Sequence, residues 1–186
     1  MGSPDSQRRL HDMFDAHKGA VGDYCRRRLP SHAVPDAVSD VFLVAWRRLD
    51  QIPVDAELPW LYGVARHVVM NHQRRGRRWL RLRAKVLATE THAAPDVETQ
   101  VIRRAEDRQV LESLAKLRPA DQELLRLRAW EELSSIEIAT ALGISPEAVD
   151  MRLTRAKRRL ATVLSASGYS CSSVPMPRAN RNGDMS

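Results

Sequence analysis

Residues 134–160 read SSIEIATALGISPEAVDMRLTRAKRRL, and the pattern decides what kind of chain this is. Ser134 and Glu137 have the spacing of a capping box, so a short helix opens there. Ile138, Ala139 and Leu142 continue it on a helical period. Gly143 stops it, because a sharp helix-to-helix turn needs a positive φ that glycine adopts without steric cost. Ile144 is apolar and fills the corner. Ser145 caps a second helix, with Pro146 and Glu147 in its first turn. Val149, Leu153, Ala156 and Leu160 recur at spacings of 4, 3 and 4 and form its buried seam. The predicted unit is a helix-turn-helix.

A narrow seam leaves the rest of the second helix free. Ser145, Glu147, Ala148, Asp150, Met151, Arg152, Thr154, Arg155 and Arg158 occupy those faces. Arginine and short polar side chains at the start of such a helix suit the major groove of DNA. Two crossed helices of any small bundle with solvated charges would show part of the same pattern. The joint spacing of cap, glycine, second cap and seam favours DNA reading.

The whole chain agrees with a polyanionic partner. Its 186 residues carry a formal net charge of +7 and a pI of about 10.1, which points to nucleic acid or an anionic surface. The length allows one ordinary domain or two small ones. No apolar run is long enough to span a bilayer, and the N-terminus lacks a signal-type apolar core. A cytoplasmic protein without membrane insertion is expected. Cys25 and Cys171 have no zinc-type spacing, so neither a metal nor a cofactor is expected.

Upstream, the chain reads as helical almost throughout, with no alternating strand pattern and no internal repeat. In DAVSDVFLVAWRRL, residues 36–49, Val38, Val41, Phe42, Ala45, Trp46 and Leu49 form one core stripe. The opposite face carries Asp36, Asp40, Leu43, Val44 and Arg47. Branched apolar residues there suggest a contact surface, although single exposed Leu or Val residues are common. A connector, DQIPVDAELP, leads to a helix expected to start near Trp60. Its inner face is Leu61, Val64, Ala65, Val68 and Val69, and it runs into VARHVVMNHQRRGRRW, residues 64–79. His67 and His72 are five residues apart and point about 140° away from each other, so they do not form a metal pair. Arg66, His67, Met70, Gln73 and Arg74 share the outer arc, and Arg75, Arg77 and Arg78 extend the positive surface.

Beyond Trp79 the sequence turns basic, then small and polar. Residues 86–104 read as a linker. EDRQVLESLAKL and PADQELLRLRAW supply two further helices before the helix-turn-helix, with Asp121 and Glu123 near a positive helix end. Residues 166–186 are rich in Ser, Pro, Asn and Gly and read as a mobile tail. The expected architecture is all-α: a helical domain over 1–85, a flexible linker over 86–104, and a helix-turn-helix domain over 105–165.

Three blocks in this order resemble those of the extracytoplasmic-function sigma factors, bacterial initiation subunits of RNA polymerase. DAVSDVFLVAWRRL resembles the family's core-binding helix. LPWLYGVARHVVMNHQRR resembles its −10-reading helix. LSSIEIATALGISPEAVDMRLTRAKRRL resembles its −35-reading helix-turn-helix. The resemblance implies a non-catalytic factor that binds core polymerase, at the β′ clamp helices and β flap, and selects promoter DNA. It implies polymerase binding by Asp36, Ser39, Asp40, Leu43, Val44 and Arg47, and −10 binding by Arg66, His67, Met70, Asn71, Gln73, Arg74, Arg75, Arg77 and Arg78. It implies −35 binding by the nine residues of the 145–158 face given above, and an anti-sigma protein as a further partner. It also implies association with the nucleoid within holoenzyme.

The chain departs from the family pattern at several places. Ser39 replaces a usual Gln, Gly63 a common Arg or Lys, His67 a common Asn and Asn71 a common Asp. Asp150 and Met151 stand where a basic residue and Ser are frequent. The connector 50–58 lacks the usual Phe-Arg-Gly type pattern of the loop that captures a flipped −10 base. Rival readings fare worse. No nucleophile elbow, zincin helix or phosphate loop supports an enzyme. A membrane-surface helix would flank its apolar stripe with cations, whereas here the seven basic residues of 74–85 follow it. A helix-turn-helix regulator with a signal-binding N-terminal domain would share only the last block.

Overall fold

The computed structural model describes residues 4–86 and 105–166, and the side chains of 4–78 and 109–166. The linker assigned to 86–104 and the tail assigned to 166–186 therefore lie almost wholly outside the described residues. Among those described, every regular element is helical.

Three long helices form the first unit: α1 (Pro4–Arg26), α2 (Val34–Arg47) and α3 (Glu57–Val86). Helix α1 follows a stripe too sparse to stand out in the sequence. Met13, Val21, Tyr24 and Cys25 are buried, but His17 interrupts the row and lies 3.7 Å from Glu57 at the start of α3. Helix α2 starts two residues earlier than its periodicity predicts, with Pro35 in the first turn, where a missing N–H costs nothing. Val41, Phe42 and Ala45 are buried and Val38 and Trp46 pack against them. Ala37, which the stripe omits, is buried too.

Helix α3 begins at Glu57, ahead of the Trp60 expected from the connector. The extra turn follows from what holds the connector. The Arg9 guanidinium donates to the carbonyls of Leu49 and Ile52, at 3.2 and 2.8 Å, and to Glu57 at 3.3 Å. Such carbonyl contacts are long-range and leave no local trace. Leu61, Ala65, Val68 and Val69 form the buried side of α3.

The second unit comprises α4 (Ala105–Ala115), α5 (Pro119–Ala129), α6 (Ser135–Leu142) and α7 (Pro146–Ala166). Its local chemistry matches the sequence reading closely. Ser134 accepts from the Glu137 N–H while Glu137 accepts from the Ser134 N–H, closing the capping box. Gly143 is left-handed at φ 66°, ψ 39°, and its N–H bonds the Ala139 carbonyl at 2.8 Å. Ser145 caps α7 by accepting from the Ala148 N–H. Val149, Leu153 and Ala156 are buried as a seam, and Leu160 is half-buried at its end.

The two units are not separate bodies. Helix α6 lies across α3, and one continuous apolar core runs from Met13 through Leu61 to Leu153. Polar groups reinforce it. Arg28, just past the end of α1, donates to Glu123 and Glu131 and rests on the Tyr24 ring, 3.5 Å from its centroid. Neither acid has a local reason to face α1, so the sequence carries no sign of this contact.

Candidate polymerase and nucleic-acid interface

Three surfaces carry the predicted site residues, and the structure distributes them unevenly. On α2, Asp36, Ser39, Leu43 and Arg47 are exposed, with Leu43 at 46%, while Val44 and Asp40 are half-buried. Asp40 is already engaged: the His72 Nε2–H of α3 donates to its carboxylate at 3.2 Å. This explains why His72 sits on the edge of the apolar arc, since its ring pins α3 to α2.

Beside this face runs an apolar groove between α1 and α2. It is lined by Leu10, Phe14, Phe42, Leu43 and Trp46, with Gln7, His11 and Ser39 at its polar margin. Phe14 and Phe42 meet edge-on with centroids 4.8 Å apart. Sequence reasoning finds Ser39 and Leu43 here but misses Phe14, which belongs to a helix with little apolar periodicity. Exposed aromatic and branched side chains in one contiguous strip mark a protein-binding surface better than single exposed residues do.

On α3, His67, Asn71, Gln73, Arg74, Arg75, Arg77 and Arg78 are exposed, and Arg66 and Met70 are half-buried. Two of them have internal partners. The His67 Nδ1–H donates to the Gly63 carbonyl at 2.8 Å, and the Gln73 amide donates to the Arg28 carbonyl at 3.1 Å. Asn71 and the four arginines from Arg74 to Arg78 form the solvent-facing part of the row. A run of guanidinium groups unopposed by acids on its own stretch attracts phosphates.

On α7, Ser145, Glu147, Asp150, Met151, Arg152, Thr154, Arg155 and Arg158 are exposed, and Ala148 is half-buried. Met151 is 57% exposed, so this large apolar side chain faces solvent on the same arc as the arginines. Asp150 is tied down: the Ser135 hydroxyl donates to its carboxylate at 2.5 Å. The contact staples α7 to the start of α6 and takes up one of the carboxylate's acceptor sites. Thr154 returns its hydroxyl to the Asp150 carbonyl at 2.9 Å. The Glu147 carboxyl is held below its ordinary value by the backbone and by Ser145, as suits an acid at a helix start. Among the described residues, Arg152, Arg155 and Arg158 have no ion-pair partner on this face.

No group of three or more His, Cys, Asp or Glu that could hold a metal occurs among the described residues, and none of their helices is long and apolar enough to cross a membrane. Cys25 is fully buried, and burial pushes its thiol up to about 11, with Arg28 and Arg26 opposing.

Comparison with known proteins gives these surfaces a context. Residues 13–79 match the family sigma-70 region 2, and residues 107–160 match sigma-70 region 4. The chain is 31% identical over 147 residues to the RNA polymerase sigma factor NccH of Alcaligenes xylosoxydans xylosoxydans, covering 75% of this chain and 77% of that one. It is 29% identical to the sigma factor CnrH of Cupriavidus metallidurans, covering 87% and 89% respectively. The solved structure of CnrH with the cytosolic domain of CnrY aligns with a TM-score of 0.57 at 25% identity, over 86% of this chain and 90% of that one. The N-terminal match does not favour a regulator that shares the helix-turn-helix alone. Both units and their order agree, and the chain belongs to the extracytoplasmic-function RNA polymerase sigma factors, which direct polymerase to promoters.

Proposed function

We propose that α2 and the groove beside it dock on the clamp helices of the polymerase β′ subunit, with Ser39, Leu43 and Arg47 in contact. The exposed strip of Phe14 and Leu43 supports this, because it offers apolar area that a partner helix would cover. Residues 1–85 then act as the polymerase- and −10-binding domain, and 105–165 as the −35-binding domain that also meets the β flap.

The observation that carries the DNA reading is the exposed row of Met151, Arg152, Thr154, Arg155 and Arg158 on a helix fixed at its start by a capped, glycine-closed turn. This row enters the major groove of the −35 element. The exposed part of α3, from His67 through Asn71 to Arg78, holds the −10 element, its arginines meeting phosphates and its His67 and Asn71 meeting bases. Asp40, Asp150 and Gln73 serve chiefly to position these helices, since each already has an internal partner.

The factor works in the bacterial cytoplasm and joins the nucleoid within holoenzyme. An anti-sigma protein is its regulator, by analogy with two solved relatives. One is CnrH with CnrY; the other is the sigma factor RpoE of Bartonella quintana with the anti-sigma factor NepR. The test is genome-wide run-off transcription with purified chain and core polymerase. Specific transcripts sharing upstream −35 and −10 sequences are expected. Transcripts no different from those of core polymerase alone would end the proposal.

A further inference from the structure

We infer that Met151 reads the C5-methyl group of thymine in the upstream promoter element, and that it sets the base preference of α7 there. The inference deepens the proposed −35 role of α7 and rests on it.

The packing of α7 gives Met151 no reason to be apolar. Successive residues of a helix turn by about 100°. Met151 therefore stands about 160° from Val149 and Leu153 and about 140° from Ala156, opposite the seam that buries α7. It is 57% exposed, the one large hydrophobic side chain that α7 exposes among the described residues. An exposed apolar residue is ordinary by itself. The surroundings of this one are not. On its own arc Met151 lies between Ala148 and Arg155 on one side and Glu147 and Thr154 on the other, with Arg158 two turns further along.

Internal hydrogen bonds occupy the polar groups that would compete with it. The Ser135 hydroxyl donates to the Asp150 carboxylate at 2.5 Å and draws it toward α6. Glu147 is held by its own backbone and by Ser145. Thr154 gives its hydroxyl proton to the Asp150 carbonyl at 2.9 Å, so the group it has left for a partner is its methyl. Ala148 carries nothing but a methyl. Ala148, Met151 and Thr154 follow one another at spacings of three, so they are neighbours along one face. They form an apolar strip, and Arg152, Arg155 and Arg158 border it with positive charge.

An apolar strip between cations fits thymine. In the major groove thymine presents a methyl group beside one acceptor, whereas the other three bases present only donors and acceptors there. The thioether side chain is unbranched and polarisable and adapts its shape to such a methyl. Arginines beside the strip meet the phosphates that wall the groove, which leaves Met151 directed at the base edges. The resembled pattern carries Ser at this position. A serine hydroxyl reads a base by hydrogen bonding, and a thioether sulfur accepts only weakly. The exchange of Ser for Met151 therefore replaces polar reading by apolar reading at one point of α7.

Uracil lacks only the methyl of thymine, so it isolates this contact. A promoter recovered by run-off transcription is rebuilt with each thymine of its upstream element, on either strand, replaced singly by uracil. Initiation is then measured with limiting holoenzyme of the full chain and core polymerase. One or two replacements should lower initiation about fourfold, the effect of one buried methyl. Met151→Ser should initiate equally from the thymine and uracil forms, and Met151→Leu should keep the difference. Met151 lies outside the core, so neither substitution disturbs folding, and circular dichroism checks this. A methyl effect that survives Met151→Ser intact would overturn the assignment. So would an upstream element with no thymine, or one in which no thymine shows the effect. Scrambling the whole upstream element separates the two readings. Initiation lost on scrambling, with no methyl effect, overturns only the reading of thymine. Initiation unchanged by scrambling overturns the placement of α7 itself.

Discussion

The two units of this chain each fix one helix that we propose meets DNA, and they do so by different means. The second unit does it locally. Helix α7 is placed by a capping box, a left-handed glycine, a second serine cap and the Ser135–Asp150 staple, all within 17 residues of one another. The first unit does it at long range. Helix α3 is placed by a broad apolar side against α1 and α2, by His72 on Asp40, and by Arg9 gripping a connector some 40 residues away. Local placement is robust to changes elsewhere and sensitive to single polar residues. Long-range placement inverts that dependence.

The largest expected effect tests the second half of this contrast. Leu61→Ala, at a fully buried position of α3, should cost about 2–5 kcal/mol in urea unfolding of the full chain. A loss no greater than that of a removed helix cap would break the comparison.

The next effect is confined to the first unit. The thiol of Cys25 is pushed up to about 11 from its ordinary 9.0 by burial. A raised value means the folded state holds its proton longer. This contribution is complete below about pH 9 and is lost as pH rises through about 11. Stability should fall across that window by on the order of 2–3 kcal/mol. Urea melts of Cys25→Ala should show a visibly shallower decline, and an equal one would remove Cys25 as the cause.

Arg155→Ala, on the free face of α7, should weaken upstream-element binding by about 1–3 kcal/mol if the guanidinium reads a base. Footprints of holoenzyme over the −35 region give the measurement. An unchanged footprint would move the reading surface elsewhere on the helix.

Ser134→Ala removes the α6 cap and should cost about 1 kcal/mol, seen as a shifted urea midpoint at constant slope. A cost approaching that of Leu61→Ala would mean the second unit is held no more locally than the first. The smallest effect has the opposite sign. Glu132, between α5 and α6, has φ 55°, a conformation that favours glycine. Glu132→Gly should raise stability by at most about 1 kcal/mol, measured as a higher melting temperature. A lower melting temperature would show that the Glu132 side chain does more than occupy the turn.

What could be read in advance follows this same division. The caps, Gly143, the seam of α7 and the stripe of α2 are written within a few residues of one another, and the helical period exposes them directly. That information was enough for an all-α chain, for its helix-turn-helix and for the family it resembles. The sequence also separated His67 from His72 and set aside a metal pair, because a five-residue spacing on a helix is decided by geometry alone.

Tertiary structure decided everything that depends on residues far apart meeting. It turned Asp40, Gln73 and Asp150 from free surface groups into positioned ones, each with an internal partner. It added Phe14 to the groove beside α2. It joined two units that the sequence presents as independent, through Arg28, Glu123 and Glu131 and through the absent side chain of Gly63. Hydrogen bonds and close approaches between distant segments leave no periodicity behind them. A glutamate facing solvent and a glutamate facing a buried arginine are spelled alike, and only the packing of α6 on α3 tells them apart.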